Sequence, residues 1–178
     1  MEVIERIPVT GWKAYRGHLE RYAYAGRMTR PGEVVNDIAC GVGYGCTYLL
    51  HATYRGYDRP GVPQPRWFRG DFRVADLDDP LWLPEPCDVT VCLETLEHVV
   101  DPVRLARVIA ATTRRAVIVS VPIIETTNWN PHHRHDFSTT DIPPLFPEFD
   151  VSDEWDQPSD RAHVWTFERR VATSSPLS

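Results

Sequence analysis

At 178 residues, with 42% hydrophobic and 25% charged side chains, the chain suits one soluble domain and is too short for two comfortable ones. A net charge of −6, with no Lys/Arg run longer than two, excludes the broad basic field that draws nucleic acid. No apolar run approaches the ~20 residues of a membrane-spanning helix, and Cys40, Cys46, Cys87 and Cys92, without CxxC spacing or a signal peptide, read as reduced thiols in a cytoplasmic protein, with Cys87 and Cys92 buried at an apolar strand.

The first segment, "GWKAYRGHLERYAYAGRM", sets Trp12, Tyr15, Leu19, Tyr22 and Ala23 at helical spacing. This makes residues 1–30 an N-terminal helical lid. "EVVNDIACG" is a short apolar strand running into glycines, followed by a helix-like "YGCTYLLHA". "TYRGYDR" and "FRVADL" read as the second and third strands, "CDVTVCLE" as the fourth, and "AVIVSVP" as the fifth. Between the last two, "DPVRLARVIAATT" is an amphipathic helix started by Asp101 and Pro102. Strands and helices that alternate, with continuous apolar runs, predict a parallel sheet buried on both faces. In the tail, "EFDVSDEWD" and "AHVWTFERR" alternate apolar and polar residues around a turn, which predicts an antiparallel pair. The expected architecture is one doubly wound α/β domain, with a core over 34–122 and a substrate loop and antiparallel tail over 123–178. Two proline-rich segments interrupt it. "PGVPQPRWFRG" forbids a regular helix between the second and third strands, leaving that face thin or open to a partner chain or second copy. "FSTTDI" offers Ser138 as N-cap with Asp141 three residues on, but Pro143 and Pro144 cut any helix there to a turn.

Chemistry concentrates at the strand ends. "DIACGVGYG" carries glycines at 41, 43 and 45, but Cys46 breaks the GxGxxG spacing and no Gly-Lys-Ser/Thr follows. Glycines at such a turn let backbone approach a ligand closely, and a helix N-terminus beyond it offers N–H groups to a carboxylate. Asp37 precedes the turn. Asp58 ends the second strand, where a carboxylate accepts from both hydroxyls of a ribose, and Asp76 follows the third, within the pattern that meets an adenine amine.

The run "DIACGVGYG…YRGYDR…VADL…DVTVCLETLEHVVDP", from Val34 to Pro122 and about half of the chain, resembles the class I S-adenosylmethionine-dependent methyltransferases, as does "ERYAYA". The resemblance implies their Rossmann-like seven-stranded, mostly parallel sheet with a reversed last strand. It also implies S-adenosyl-L-methionine as cofactor. Asp37, Gly41 and Gly43 would meet its methionine portion, Asp58 its ribose, and Asp76 with Leu77 its adenine. Ala39, Leu93, Glu94 and Tyr22 complete the expected cofactor set, with Tyr22 on the lid.

"CLETLEHVVDP" then places Glu94, Glu97 and His98 where the fourth strand ends, facing the methyl group in this fold. Carboxylates and imidazole at i, i+3 and i+4 share one face of a helical turn and can hold a divalent cation, Mg²⁺ or another. The pattern resembles the E-x-x-E-H of RNA 3′-terminal 2′-O-methyltransferases and of ubiquinone-pathway catechol O-methyltransferases. In the RNA enzymes a distal His stands two positions before a Phe; His135 precedes Phe137 by that interval and is carried over as fourth ligand. Two other readings stay open for "NWNPHHRHDF": a metal-free general base among His98, His133 and His135, or residues that merely line and brace a pocket. The expected activity is methyl transfer, through oxygen, to a small polar acceptor. The alternatives are an RNA 3′-terminal 2′-O-methyltransferase, disfavoured by the acidic charge, and a non-catalytic cofactor-binding subunit of a larger complex.

Overall fold

The computed structural model describes residues 16–171, so the expectations for Trp12 and Tyr15 lie outside the described residues. Among the described residues seven strands form one sheet: β1 (Val34–Ile38), β2 (Thr53–Asp58), β3 (Asp71–Val74), β4 (Cys87–Leu93), β5 (Thr113–Pro122), β6 (Phe149–Gln157) and β7 (Ala162–Arg169). Their order is β3-β2-β1-β4-β5-β7-β6. The first five are parallel, and β7 runs antiparallel to both β5 and β6, as the tail pattern predicts. The continuous apolar runs are the central strands β4 and β5, buried along nearly their whole length. The outer strand β6 is mostly exposed and carries Asp150, Asp153, Glu154 and Asp156, charges that discourage another chain from pairing with this edge.

Side-chain alternation divides the core between two faces. Val89, Val91, Ala116 and Ile118 face a layer containing Tyr22, Tyr24 and Ala25 of α1 (Arg16–Met28). Cys92, Val117, Val119 and Val121 face Leu105, Ala106, Ile109 and Ala110 of α2 (Pro102–Thr112). The sequence signals that start α2 hold: Asp101 accepts the Arg104 amide at 2.9 Å, and Pro102 fills the first turn. Burying Leu105 and Ile109 on the sheet contributes roughly 1.5–3 kcal/mol each.

The expected helix "YGCTYLLHA" is not formed; a single 3-10 turn, Tyr44–Thr47, stands in its place. Gly45 is the physical reason. A Cβ there would lie 2.5 Å from Asp37 Oδ2, so glycine is required by packing, and a glycine costs a helix about 1 kcal/mol. The helix-free segment between β2 and β3 does not leave the sheet bare either. Its Trp67 stacks on Tyr44 at 5.6 Å and its Phe68 meets the edge of Tyr54 at 5.9 Å, so aromatic rings take the place of a helix. At "FSTTDI" the Ser138 amide and hydroxyl both donate to Asp141 at 2.7 Å, and the prolines allow only the 3-10 turn Pro143–Leu145.

Strand order reverses between β1 and β4. Ile38 sits opposite Cys92 in the register, so the two carboxyl ends finish side by side and a crevice opens beyond them.

Candidate functional site

The crevice is a cleft of about 800 Å³. Both residues that leave the central strands are non-glycines in the left-handed region, Ala39 (φ 59°) after β1 and Glu94 (φ 50°) after β4. Such conformations cost on the order of 1–3 kcal/mol each and persist where the surroundings impose them. Gly41 is left-handed as well (φ 58°), and a Cβ on it would meet nothing within 4 Å, because it faces the open cleft. Gly43 differs: a Cβ there would lie 2.4 Å from Phe68, so this glycine serves packing. The turn is anchored by Asp58, whose Oδ2 accepts the Gly41 amide and whose Oδ1 accepts the Arg59 amide, each at 2.7 Å. Asp58 itself lines the cleft.

Of the expected cofactor residues, Ala39, Gly41, Asp58, Asp76, Leu77 and Leu93 line the cleft, and so do Glu94 and His98. Asp37, Gly43 and Tyr22 do not. Asp37 is fully buried behind the turn, and its Oδ2 accepts the hydroxyls of Tyr22 at 2.8 Å and Tyr54 at 2.5 Å. Burial pushes its pKa up to about 7 against the pull of these two hydrogen bonds, and the Asp58 charge adds to the rise. Tyr22 is therefore a tie between α1 and the sheet rather than a cleft residue. Helix α1 contributes other side chains: Arg21 and His18 line the cleft, together with Asp160 from the β6–β7 turn. Arg21 stands four residues before the buried Ala25 in "RYAYA", and that one-face spacing is the sequence signal that could have found it. Desolvation first, and the Arg21 charge second, hold the His18 ring neutral.

The expected metal quartet does not assemble. Glu94 turns away: its Oε1 accepts the Ser120 hydroxyl at 2.7 Å and lies 4.0 Å from Arg21 Nε. His135 Nε2 donates to the Val99 carbonyl at 2.9 Å, since a carbonyl only accepts. Glu97 and His98 converge instead with His133, their ligand atoms all within 4.8 Å of one another. The local chain explains the substitution. The Arg134 amide donates to the Glu97 carbonyl at 2.7 Å, which draws the 126–136 loop against the end of β4 and brings His133 inward. His98 and His133 meet edge to face with ring centroids 4.6 Å apart.

Hydrogen bonds set both tautomers. His98 Nδ1 donates to the His132 carbonyl at 2.9 Å, so the lone pair of the neutral ring is on Nε2, which lies 3.9 Å from Glu97 Oε1. His133 Nδ1 lies 2.6 Å from Thr126 Oγ1, whose own proton goes to Asp136 at 3.1 Å, so Nδ1 is the donor and Nε2 again carries the lone pair. Asp136 also accepts the Thr126 and Thr127 amides, which with the Thr127 hydroxyl hold its carboxyl down at about 2. Burial, then the neighbouring His98, lowers the His133 pKa to about 4. Glu97 is 1% exposed, and neither of its carboxylate oxygens has a hydrogen-bond partner among the described residues. Burial, then the Glu94 charge, pushes its pKa well above the usual carboxylate range. Two imidazole nitrogens with buttressed Nδ1–H groups and one carboxylate fit a borderline divalent cation better than Mg²⁺, which prefers a shell of oxygens.

Sequence comparison finds no matching family model and no matching curated protein. Among solved structures, magnesium protoporphyrin IX methyltransferase from Synechocystis PCC 6803, with SAH bound, superposes with a TM-score of 0.71 at 15% identity, over 94% of this chain and 90% of that one. A chain of the complex between the Haloferax volcanii Trm112 methyltransferase activator and a putative methyltransferase gives 0.69 at 14%, over 88% and 92%. The 4+2 cyclase SpnF gives 0.69 at 13%, over 94% and 86%. At these identities the likeness is one of architecture, and one of the three structures is named for a reaction other than methyl transfer. In architecture the chain has the fold of the class I S-adenosylmethionine-dependent methyltransferases.

Proposed function

We propose that the chain is an S-adenosylmethionine-dependent methyltransferase that methylates an oxygen of a small polar acceptor, with a divalent cation held by Glu97, His98 and His133. The observation that carries the donor reading is the strained Ala39–Gly41 turn. It opens on the cleft at the β1–β4 reversal with Asp58 and Asp76 along the same wall. When bound, the donor supplies a methyl group on a good sulfonium leaving group, and a divalent cation supplies a Lewis acid that lowers the pKa of a coordinated hydroxyl.

The chain's own part is orientation and proton management. Gly41 gives backbone access without a Cβ in the way. Asp58, on the cleft wall, would accept from a ribose diol, and Leu77 would present apolar surface to a base. His98 stands on the cleft wall with Nε2 as the lone-pair nitrogen, next to where the acceptor hydroxyl must lie to attack in line. A metal-free variant of the reading is favoured by one fact: of the three cluster residues, His98 alone lines the cleft. In that case His98 Nε2 takes the acceptor's proton directly. An RNA acceptor is disfavoured by the net charge of −6 and by the carboxylates along the cleft. The Haloferax volcanii complex gives the partner-subunit reading a precedent within this fold.

The test is isothermal calorimetry with S-adenosylmethionine and S-adenosylhomocysteine, followed by methyl-transfer assays on vicinal diols with and without EDTA. Donor binding and EDTA-sensitive transfer support the full reading. Donor binding with EDTA-resistant transfer selects His98 as the base, and transfer to no acceptor supports a non-catalytic subunit. The absence of donor binding overturns the proposal.

A further inference from the structure

Of the three arginines on the cleft wall, two are already engaged. Arg21 donates to Gln157 and Asp160, each at 2.6 Å, and Arg59 has a partner of its own. Arg134 differs. It is exposed, and its guanidinium has no hydrogen-bond or ion-pair partner among the described residues. An arginine presents five N–H donors in a rigid planar fork and is always charged. In a chain of net charge −6, a cation left without a carboxylate of its own is open to an anion from outside.

The backbone beneath this side chain is held in place. The Arg134 amide donates to the Glu97 carbonyl at 2.7 Å, and the His132 carbonyl accepts from His98 Nδ1 at 2.9 Å. The His132 amide in turn donates to Asn130 Oδ1 at 3.0 Å. Residues 130–134 are thus clamped against the end of β4, and Arg134 shares the cleft wall with His98, whose Nε2 carries the lone pair. Charge is spread unevenly around that wall. Asp58, Asp76, Asp78, Glu94 and Asp160 line the cleft elsewhere, whereas the 131–134 segment brings no carboxylate to it. An anionic group that enters is repelled by those carboxylates and meets an uncompensated cation at Arg134. One arginine suits a single charged group, and a polyanion would have to lie against the carboxylates as well.

We infer that the acceptor is a small hydroxy acid, whose carboxylate is bound by the fork of Arg134 while its hydroxyl lies toward His98. A carboxylate matches the fork because its two oxygens take two parallel N–H bonds. The inference rests on the methyl-transfer reading proposed above and adds the substrate class of that same site.

The test is calorimetry on the full chain saturated with S-adenosylhomocysteine, using two matched pairs of probes: protocatechuate with its carboxamide, and glycerate with glyceramide. The wild type is expected to bind the acid of at least one pair about tenfold more tightly than its amide, the size of one charge-assisted pairing at an exposed site. Arg134→Gln is expected to lower the acid to the level of the amide, with the amide and S-adenosylhomocysteine each held within about threefold. Its amide bond to Glu97 is kept and its side chain has no partner to lose, so the variant should melt as the wild type does. Added salt gives a second measurement on the wild type, weakening the acid and sparing the amide. Discrimination that survives in Arg134→Gln, or an equal salt response of acid and amide, overturns the inference. So does a wild type that binds S-adenosylhomocysteine but binds acid and amide alike, or no member of either pair; the donor reading then stands. A phosphonate counterpart of protocatechuate that binds more tightly than the carboxylate overturns the hydroxy acid in favour of a phosphate ester. A chain that does not bind S-adenosylhomocysteine loses the donor reading and this inference with it.

Discussion

Replacing Glu97 by methionine separates metal binding from fold stability. In the folded chain the Glu97 carboxyl is 1% exposed and both its oxygens lack hydrogen-bond partners. Each unsatisfied buried polar group costs about 1–3 kcal/mol, and exchanging an uncompensated buried acid for an apolar side chain of similar volume is often neutral or stabilising. Metal-free Glu97→Met is therefore expected to be at least as stable as the metal-free wild type, by up to about 3 kcal/mol. At about 2–4 °C per kcal/mol for a domain of this size, that is a rise in Tm of up to about 10 °C. The wild type should respond to cation much more strongly than the variant. With Ni²⁺, a cation suited to imidazole, at a hundredfold excess over Kd it gains about 2.7 kcal/mol, or roughly 5–10 °C, while the variant, left with two imidazoles, gains far less. Thermal melts followed by circular dichroism, with EDTA and then with Ni²⁺, measure all four values. If Ni²⁺ raises the variant's Tm as far as it raises the wild type's, Glu97 is not a ligand. If the metal-free variant is the less stable protein, the buried carboxyl is stabilised in the native state and the reasoning from its unbonded oxygens fails.

The two glycines of the turn should separate function from folding. Gly41→Ala has room for its Cβ and only the left-handed conformation against it, so it costs about 1 kcal/mol in chemical denaturation and lowers donor affinity about tenfold or more. Gly43→Ala suffers the same conformational cost and also collides with Phe68, so it destabilises by several kcal/mol, about 3 or more; equal effects in the two variants would contradict the geometry. Ala39→Gly relieves the left-handed alanine and should raise stability by about 1 kcal/mol, a gain that a melt would miss only if the turn relaxes when the cleft is empty. Asp37 gives a pH signature. Its folded pKa of about 7 lies above the ordinary 3.8, so the native state keeps a proton that the unfolded chain releases. That stabilisation is complete below about pH 4 and is lost as the pH rises toward 7, at no more than about 1.4 kcal/mol per pH unit. Urea titrations of wild type and Asp37→Asn across this window should diverge by that slope, and parallel curves would show that the Tyr22 and Tyr54 bonds keep Asp37 ionised.

Periodicity in one dimension fixes which segments become strands, which faces they bury, and where loops leave them. The largely apolar runs at Cys87–Leu93 and 116–122 read as interior parallel strands, and the alternation in 148–156 as one member of an antiparallel pair. That was enough to put Ala39, Gly41, Asp58, Asp76 and Glu94 at strand ends around one crevice, because parallel strands all deliver their carboxyl ends to the same side. What periodicity does not encode is how side chains point once the chain has turned. Asp37 looks like a cleft residue by position, but the hydroxyls of Tyr22 and Tyr54, from two other elements, take its carboxylate into the core. His133 and His135 stand two residues apart in one loop, and the amides of Arg134 and His135, both meeting the Glu97 carbonyl, set the loop so that His133 turns toward Glu97 and His98. Arg21 enters the cleft because Gln157 and Asp160, more than a hundred residues away, hold its guanidinium there. Strand ends are set by local spacing, whereas the pairing of polar atoms is settled by partners distant in sequence, and only the tertiary structure brings those partners within hydrogen-bond reach.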